Sequence, residues 1–341
     1  MNRMNRLFFI GLPLILLMAG VVEAEPGPEP QGESESIEKR CLLVYSYHIG
    51  YAWNDGIDRG ATRTLGDACT IRRYYMDSKR NPDPEFIRAQ VAEVLQIIHH
   101  WKPDVIIAAD DNASKYLVVP HLKEDPTPVV FCGVNWSIEE YGYPFSSMTG
   151  MIEVTPLDPL FIQSKKLLLK KAKEEGRSHL HVVMIDADRI TAYKQLEPII
   201  SRFSGDRTTF ATHYIETFEQ WKSAFLQAQQ ADLVVLSNNA GIQGWNQEEA
   251  ISFVREQGRT FSVSINDWMR ELVVLVMAKD PEEQGEWSAE AAKQILQGVA
   301  AETIAVVKNR RWNTFINQPL LEQSGVVLPE AIRKRAIWME E

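Results

Sequence analysis

Short, continuous apolar runs recur along this chain, each followed by a stretch with helical periodicity, and that alternation constrains the fold most. A strand exposed on one face alternates apolar with polar residues. A parallel strand covered on both faces is apolar throughout. Cys41-Leu-Leu-Val-Tyr-Ser-Tyr47, Asp104 to Ala109, Pro128 to Gly133 and Met148 to Val154 are of the second kind, with a further strand from Thr70 to Met76. Asp83-Pro84 opens a helix, with Asp as N-cap and Pro in the first turn. Its apolar face runs Ile87, Val91, Val94, Leu95, Ile98 and Trp101. The pattern then restarts. Asp158-Pro159 opens a long helix ending near Gly176, and strands are expected at Leu180 to Ile185, Thr209 to Ile215, Leu233 to Ser237 and Phe261 to Ile265. Thr217-Phe-Glu-Gln220 and Asn246-Gln-Glu-Glu249 have the form of capping boxes, and Gly258 stops a helix. Leu272 to Met277 reads as a strand and Ala289 to Gly298 as a helix. The predicted fold class is α/β: two doubly wound, Rossmann-like lobes with a hinge and an interlobe cleft. The expected division is 41–155 plus 272–300 for the first lobe, and 156–271 plus 301–341 for the second.

The 341 residues carry 36 Lys and Arg against 46 Asp and Glu, a net charge of -10. Phosphate backbones need clustered cations, so no nucleic-acid partner is expected. Residues 1–24 have the form of a cleaved signal peptide. Arg3 and Arg6 precede the apolar run Leu7 to Val22, and Val22-Glu23-Ala24 offers small residues at a cleavage site. Sixteen apolar residues with an internal Pro13 are short for a span of about 20. Residues 25–40 are rich in Pro, Glu and Ser and read as a flexible acidic linker. The expected location is therefore periplasmic, as a monomer. Cys41, Cys69 and Cys132 allow one disulfide at most; as small apolar residues at strands or strand edges, all three are expected to pack as thiols.

In an open α/β sheet, ligands collect beyond the carboxyl ends of the strands. Those ends carry Tyr47, His48 and Trp53 after the first strand, and Asp110, Asp111, Asn112 and Ser114 after the third. Asn135 and Trp136 follow the fourth. The second half supplies Asp186 and Asp188, Asn238 and Asn239, Asp267 and Asp280. Aromatic faces give stacking area, amides give oriented hydrogen bonds, and carboxylates hold ammonium groups. His99-His100 and Lys170-Lys171 with Lys173 read as solvated helix surface. No Gly-x-Ser-x-Gly elbow, phosphate loop, Gly-x-Gly-x-x-Gly fingerprint or His-Glu-x-x-His is present. Asp186-Ala-Asp188 resembles a metal-binding Asp-x-Asp, a weak pointer to a secreted enzyme.

Beyond these patterns, Ala278-Lys-Asp-Pro-Glu-Glu-Gln-Gly285, a helix ending at Gly298, Arg311-Trp-Asn-Thr-Phe-Ile-Asn317 and Leu320 to Pro329 form a fairly specific run. With Thr127-Pro-Val-Val-Phe131 and Met148 to Pro156, it resembles the ABC-transporter substrate-binding family of the type I periplasmic-binding fold, over roughly 40–330. The resemblance implies a secreted, non-catalytic solute receptor serving a membrane permease. It places ligand residues at Asn112 to Ser114, Asn135, Trp136, Asp188, Asn238, Asn239, Asp267 and Asp280. An amino acid or amine-like solute fits the acid-plus-aromatic lining, a carbohydrate fits it almost as well, and no cofactor or metal is expected. A sensory module reporting to a membrane kinase or cyclase has the same kind of site.

Overall fold

A computed structural model describes residues 38–135, 137–205 and 207–340. The expected signal peptide and most of the expected linker lie outside the described residues, as does Trp136. The expected linker runs slightly too far, because Arg40 already pairs in the first strand beside Thr70.

β1 (Arg40–Tyr45), α1 (Ala52–Leu65), β2 (Thr70–Tyr75), α2 (Pro84–Trp101), β3 (Val105–Ala109), α3 (Asp110–Ala113), β4 (Val129–Asn135) and β5 (Met148–Glu153) follow in order. The chain then crosses into α4 (Leu157–Glu174), β6 (Leu180–Ala187), α5 (Ile190–Phe203), β7 (Thr208–Ile215), α6 (Phe218–Ala228), β8 (Leu233–Leu236), α7 (Gln247–Gln257), β9 (Ser262–Ser264) and β10 (Leu275–Lys279). It returns through α8 (Pro281–Leu296) and β11 (Val307–Lys308). A third crossing leads to β12 (Trp312–Asn317), α9 (Gln318–Ser324), α10 (Glu330–Arg333) and β13 (Ile337–Met339).

Two sheets result. The first runs β11-β5-β4-β3-β1-β2 and the second β13-β12-β10-β9-β8-β6-β7. The pairs are parallel except β10 with β12. One core cluster fills the second lobe, and two others lie in the first. The expected division is corrected at two places. β10 joins the second sheet: Leu272 to Ala278 is buried throughout, and the strand fills the slot between β9 and β12. β11 joins the first, pairing Val307 with Met151.

Gly285 lies in the body of α8. Asp280 accepts from the Glu282 amide at 3.0 Å, and Pro281 takes the first helical position, so the helix begins well before Ala289. Gly285 is required by packing, since a Cβ there would stand 2.0 Å from the Ile57 carbonyl oxygen of α1. Gly60 on α1 meets the Glu282 carbonyl in the same way, at 2.3 Å. Two helices without side chains at their contact approach closely, and this seats α8 on the first lobe. Asp158 is not an N-cap: α4 starts at Leu157, and Asp158 pairs with Arg202 on α5. Thr217 and Gln220 form the full capping box, and Asn246 caps the Glu249 amide.

Cys41 and Cys69 are joined, Cα to Cα 5.9 Å, contrary to the expectation of three packed thiols. β1 and the turn into β2 bring them side by side, which their spacing alone did not reveal. Cys132 is buried and unpaired.

Three crossovers connect the lobes, and they are stitched together. Asn309 accepts from the Val154 amide at 2.7 Å and donates to the Val154 carbonyl at 3.2 Å. The Arg311 guanidinium donates twice to Asp280, at 3.0 and 2.7 Å. The amides of Arg310 and Arg311 donate to Glu283.

Candidate functional site

The carboxyl ends of β1, β3, β4 and β5 face those of β9 and β10 across a cavity of about 490 Å3. Tyr47, Trp53, Asp110, Asn135 and Glu153 line it from the first lobe. Asn266, Asp267, Trp268 and Lys279 line it from the second.

Asp110 sits at its centre, 3% exposed, with φ of 75°. Positive φ is unfavourable for a residue with a Cβ and is held here by its surroundings. Trp53 Nε1 donates to Asp110 Oδ1 at 2.8 Å. With its amide turned to satisfy both ends, Asn54 donates to Asp110 Oδ2 at 3.1 Å and accepts from the Tyr47 amide at 3.2 Å. Gly133 (φ 68°) leaves room for the carboxylate; a Cβ there would stand 2.7 Å from Asp110 Oδ1. Burial, then the neighbouring Glu153 charge, holds the Asp110 carboxyl well above its usual range. Burial also raises Glu153, against the pull of its ion pair with Lys279. Beside them, Asp111 accepts from Asn135 Nδ2 at 2.6 Å and from the Tyr141 hydroxyl at 2.8 Å.

The aromatic wall is charged at its edges. Tyr47 and Tyr51 meet edge to face with centroids 5.0 Å apart, and the Lys79 ammonium lies 4.3 Å from the Tyr51 ring centre. The Lys279 ammonium lies 5.2 Å from the Trp53 ring centre. Burial and the Asp110 charge raise the Tyr47 phenol far above its ordinary value, so it is a neutral donor.

The cations of this cavity are already spoken for. Lys279 pairs with Glu153, and Arg59 with Glu282 at 3.0 Å. Asp110 and Asp267, one from each lobe, have no ion-pair partner among the described residues. The arrangement sets two unpaired carboxylates and four aromatic side chains around one cavity.

The sequence-predicted residues divide accordingly. Tyr47, Trp53, Asp110, Asn135 and Asp267 line the cavity. The other described ones are not among the residues that line it. His48 turns to Asp77, with Nδ1 3.7 Å from the carboxylate. Asn112 donates to Ser78 Oγ at 2.8 Å, in a chain that leads through Ser78 to the Ser46 carbonyl at the end of β1. Ser114 is fully buried. Asp280 is taken by its helix and by Arg311. Asp188 is exposed and accepts from the Tyr193 hydroxyl at 2.9 Å. Asp186, by contrast, is buried, and burial lifts its pKa to about 6. Asn238 caps the Ala240 amide at 2.9 Å. Asn239 stands behind the site, accepting from Trp268 Nε1 at 3.1 Å. Trp136 lies outside the described residues. Tyr51, Trp268 and Lys279 stand in the same strand-end clusters without a ligand role having been expected of them, and Glu153 was missed. A lone carboxylate closing the apolar run Met148 to Val154 was the available signal for Glu153.

No protein-family model matches the chain, and no curated protein matches it. Solved structures do. The chain is similar to a substrate-binding protein with adhesive properties from Clostridium difficile, in its ligand-free open structure, at 12% identity and TM-score 0.64, over 89% of this chain and 99% of that one. It is similar to an ABC transporter solute-binding protein from Bradyrhizobium sp. BTAi1 with bound bis-tris, at 13% identity and TM-score 0.56, over 86% and 88%. It is also similar to an ABC domain from Streptococcus pneumonia in complex with L-Trp, at 14% identity and TM-score 0.52, over 88% and 99%. At these identities the likeness concerns the backbone, and the backbone is that of the two-lobed type I periplasmic-binding fold.

Proposed function

We propose that this chain is a periplasmic solute-binding protein that holds a small amine-bearing organic molecule between its lobes and presents it to an ABC-transporter permease, without catalysis. The observation that carries the reading is the pair Asp110 and Asp267. They are carboxylates of opposite lobes, lining one cavity of about 490 Å3 in which each cation is already paired. That volume lies within the ordinary small-ligand range of about 300–1,000 Å3. An ammonium group between the two carboxylates bridges the lobes and favours the charged form of Asp110. Tyr47, Tyr51, Trp53 and Trp268 supply aromatic faces for the rest of the ligand. The molecules bound in two similar structures, bis-tris and L-Trp, both carry an amine, which supports the class without naming the solute. Export through the 1–24 segment and monomeric state belong to the same reading.

The test is thermal unfolding of the purified chain against amino acids, amines, sugars and nucleosides. A ligand at 100 times its Kd adds about 2.7 kcal/mol of stability. Stabilisation by amines that strengthens as pH rises supports the reading, because deprotonation of Asp110 then accompanies binding. Stabilisation by neutral sugars alone, or by no compound in a folded sample, overturns it.

A further inference from the structure

A groove of about 1430 Å3 opens on the second lobe, apart from the interlobe cavity. Its floor is apolar, with Leu167 on α4, Trp312 on β12, and Leu328 and Ile332 around the start of α10. Its walls are basic. Lys166 and Lys170 rise from α4, Arg310 comes from the third crossover, and Arg335 follows α10. Arg311 is held by Asp280 and Glu286, and Lys334 by Glu330. Lys166, Lys170, Arg310 and Arg335 form no ion pair among the described residues. The whole chain carries a net charge of -10, so this groove reverses the prevailing sign. Like charges gathered around one depression repel, and an anionic occupant relieves that repulsion. The floor adds an apolar requirement, because burying carbon against Trp312 and Ile332 is favourable.

The size and shape select among anions. The groove exceeds the roughly 300–1,000 Å3 of ordinary small-ligand pockets. Its lining combines cations from α4, the third crossover and the segment after α10 with apolar side chains, a mixture that a short peptide carrying both acidic and apolar side chains can match. We propose that this groove docks an acidic, amphipathic peptide segment of a partner protein. Acidic side chains meet the walls, and apolar ones meet the floor. Its position adds a coupling. Arg310 belongs to the third crossover, and its neighbour Arg311 ties that crossover to the second through Asp280. A partner seated here touches the segments that join the lobes.

The proposal is independent of what the interlobe cavity holds. Its test is fluorescence anisotropy of the full chain with a labelled peptide, Glu-Leu-Glu-Glu-Phe-Leu-Glu-Glu-Leu, and a control carrying Lys for each Glu. The acidic peptide is expected to bind and the Lys control is not. Added salt should weaken binding, and Lys166→Glu with Lys170→Glu should weaken it by at least about tenfold. Arg310→Glu with Arg335→Glu tests the other two cations of the lining, should the first variant fold poorly, and the same tenfold loss is expected. Failure of the acidic peptide to bind overturns the proposal, as does equal affinity for the charge-reversed variants. Phosphatidylglycerol vesicles that bind the chain where the peptide does not would assign the basic surface to lipid instead.

Discussion

The two lobes contribute to the cavity in different ways. First-lobe residues are fixed before any guest arrives: Trp53 holds Asp110, Asn135 and Tyr141 hold Asp111, and Lys79 donates to the Tyr51 hydroxyl at 2.6 Å. A disulfide cross-links the same lobe at β1. Second-lobe residues are less supported. Asp267 is exposed, and Trp268 is 51% exposed with one hydrogen bond, to Asn239. The difference teaches a division of labour. One lobe presents a preorganised acidic surface, and the other an exposed and sparsely bonded one, which under the proposed function would gain its contacts on binding.

Four changes break or sharpen that comparison. Cys69→Ser should cost the most, about 3 to 4 kcal/mol, because the bond closes a loop with sequence separation 28 in the unfolded chain. Denaturant unfolding checks it, and a loss below about 1 kcal/mol would mean the first lobe does not depend on its cross-link. Asp110→Asn should weaken an amine ligand about 100-fold, near 2.7 kcal/mol, and flatten the rise of affinity with pH. Calorimetric titration at several pH values reads both.

Asp186→Asn probes the buried acid of the second lobe. Its folded pKa, about 6, lies above the unfolded value of 3.8, so the folded state keeps the proton longer. Its contribution is intact below pH 4 and is lost as pH rises through 6. The Asn variant should therefore gain roughly 2 kcal/mol over the wild type at pH 7 relative to pH 4. Thermal unfolding at the two pH values checks this, and parallel changes in both proteins would refute it. Trp268→Ala should cost the least, about 1 kcal/mol of ligand affinity, with unfolding unchanged. A larger loss than for Asp110→Asn would invert the comparison.

The layered fold was legible because apolar continuity and caps are local signals. Asp83 and Thr217 marked helix starts that the structure keeps. The site was legible only in part. A strand's end says that a residue reaches the cleft side, but the partner it finds there is set by distant chain. Asn112 is drawn to Ser78, His48 to Asp77 and Asp280 to Arg311, none of which sequence proximity announces. The division of lobes failed for the same reason, since β10 and α8 are adjacent in sequence yet belong to opposite lobes.

The stitching of the three crossovers has a mechanical consequence. Segments bonded to one another through Asn309 and Arg311 act as a single pivot, and displacement about a pivot grows with the radius from it. Lys279 and Glu153 end the strands that feed two of those segments, so their ion pair sits at small radius and keeps its length through a swing. Trp268, on the chain beyond β9, belongs to none of those segments, so a swing about the pivot would displace it relative to the first lobe. Of the tryptophans at this cavity, Trp53 should report the chemistry of the guest and Trp268 the angle of the lever, so their emission should separate occupancy from motion.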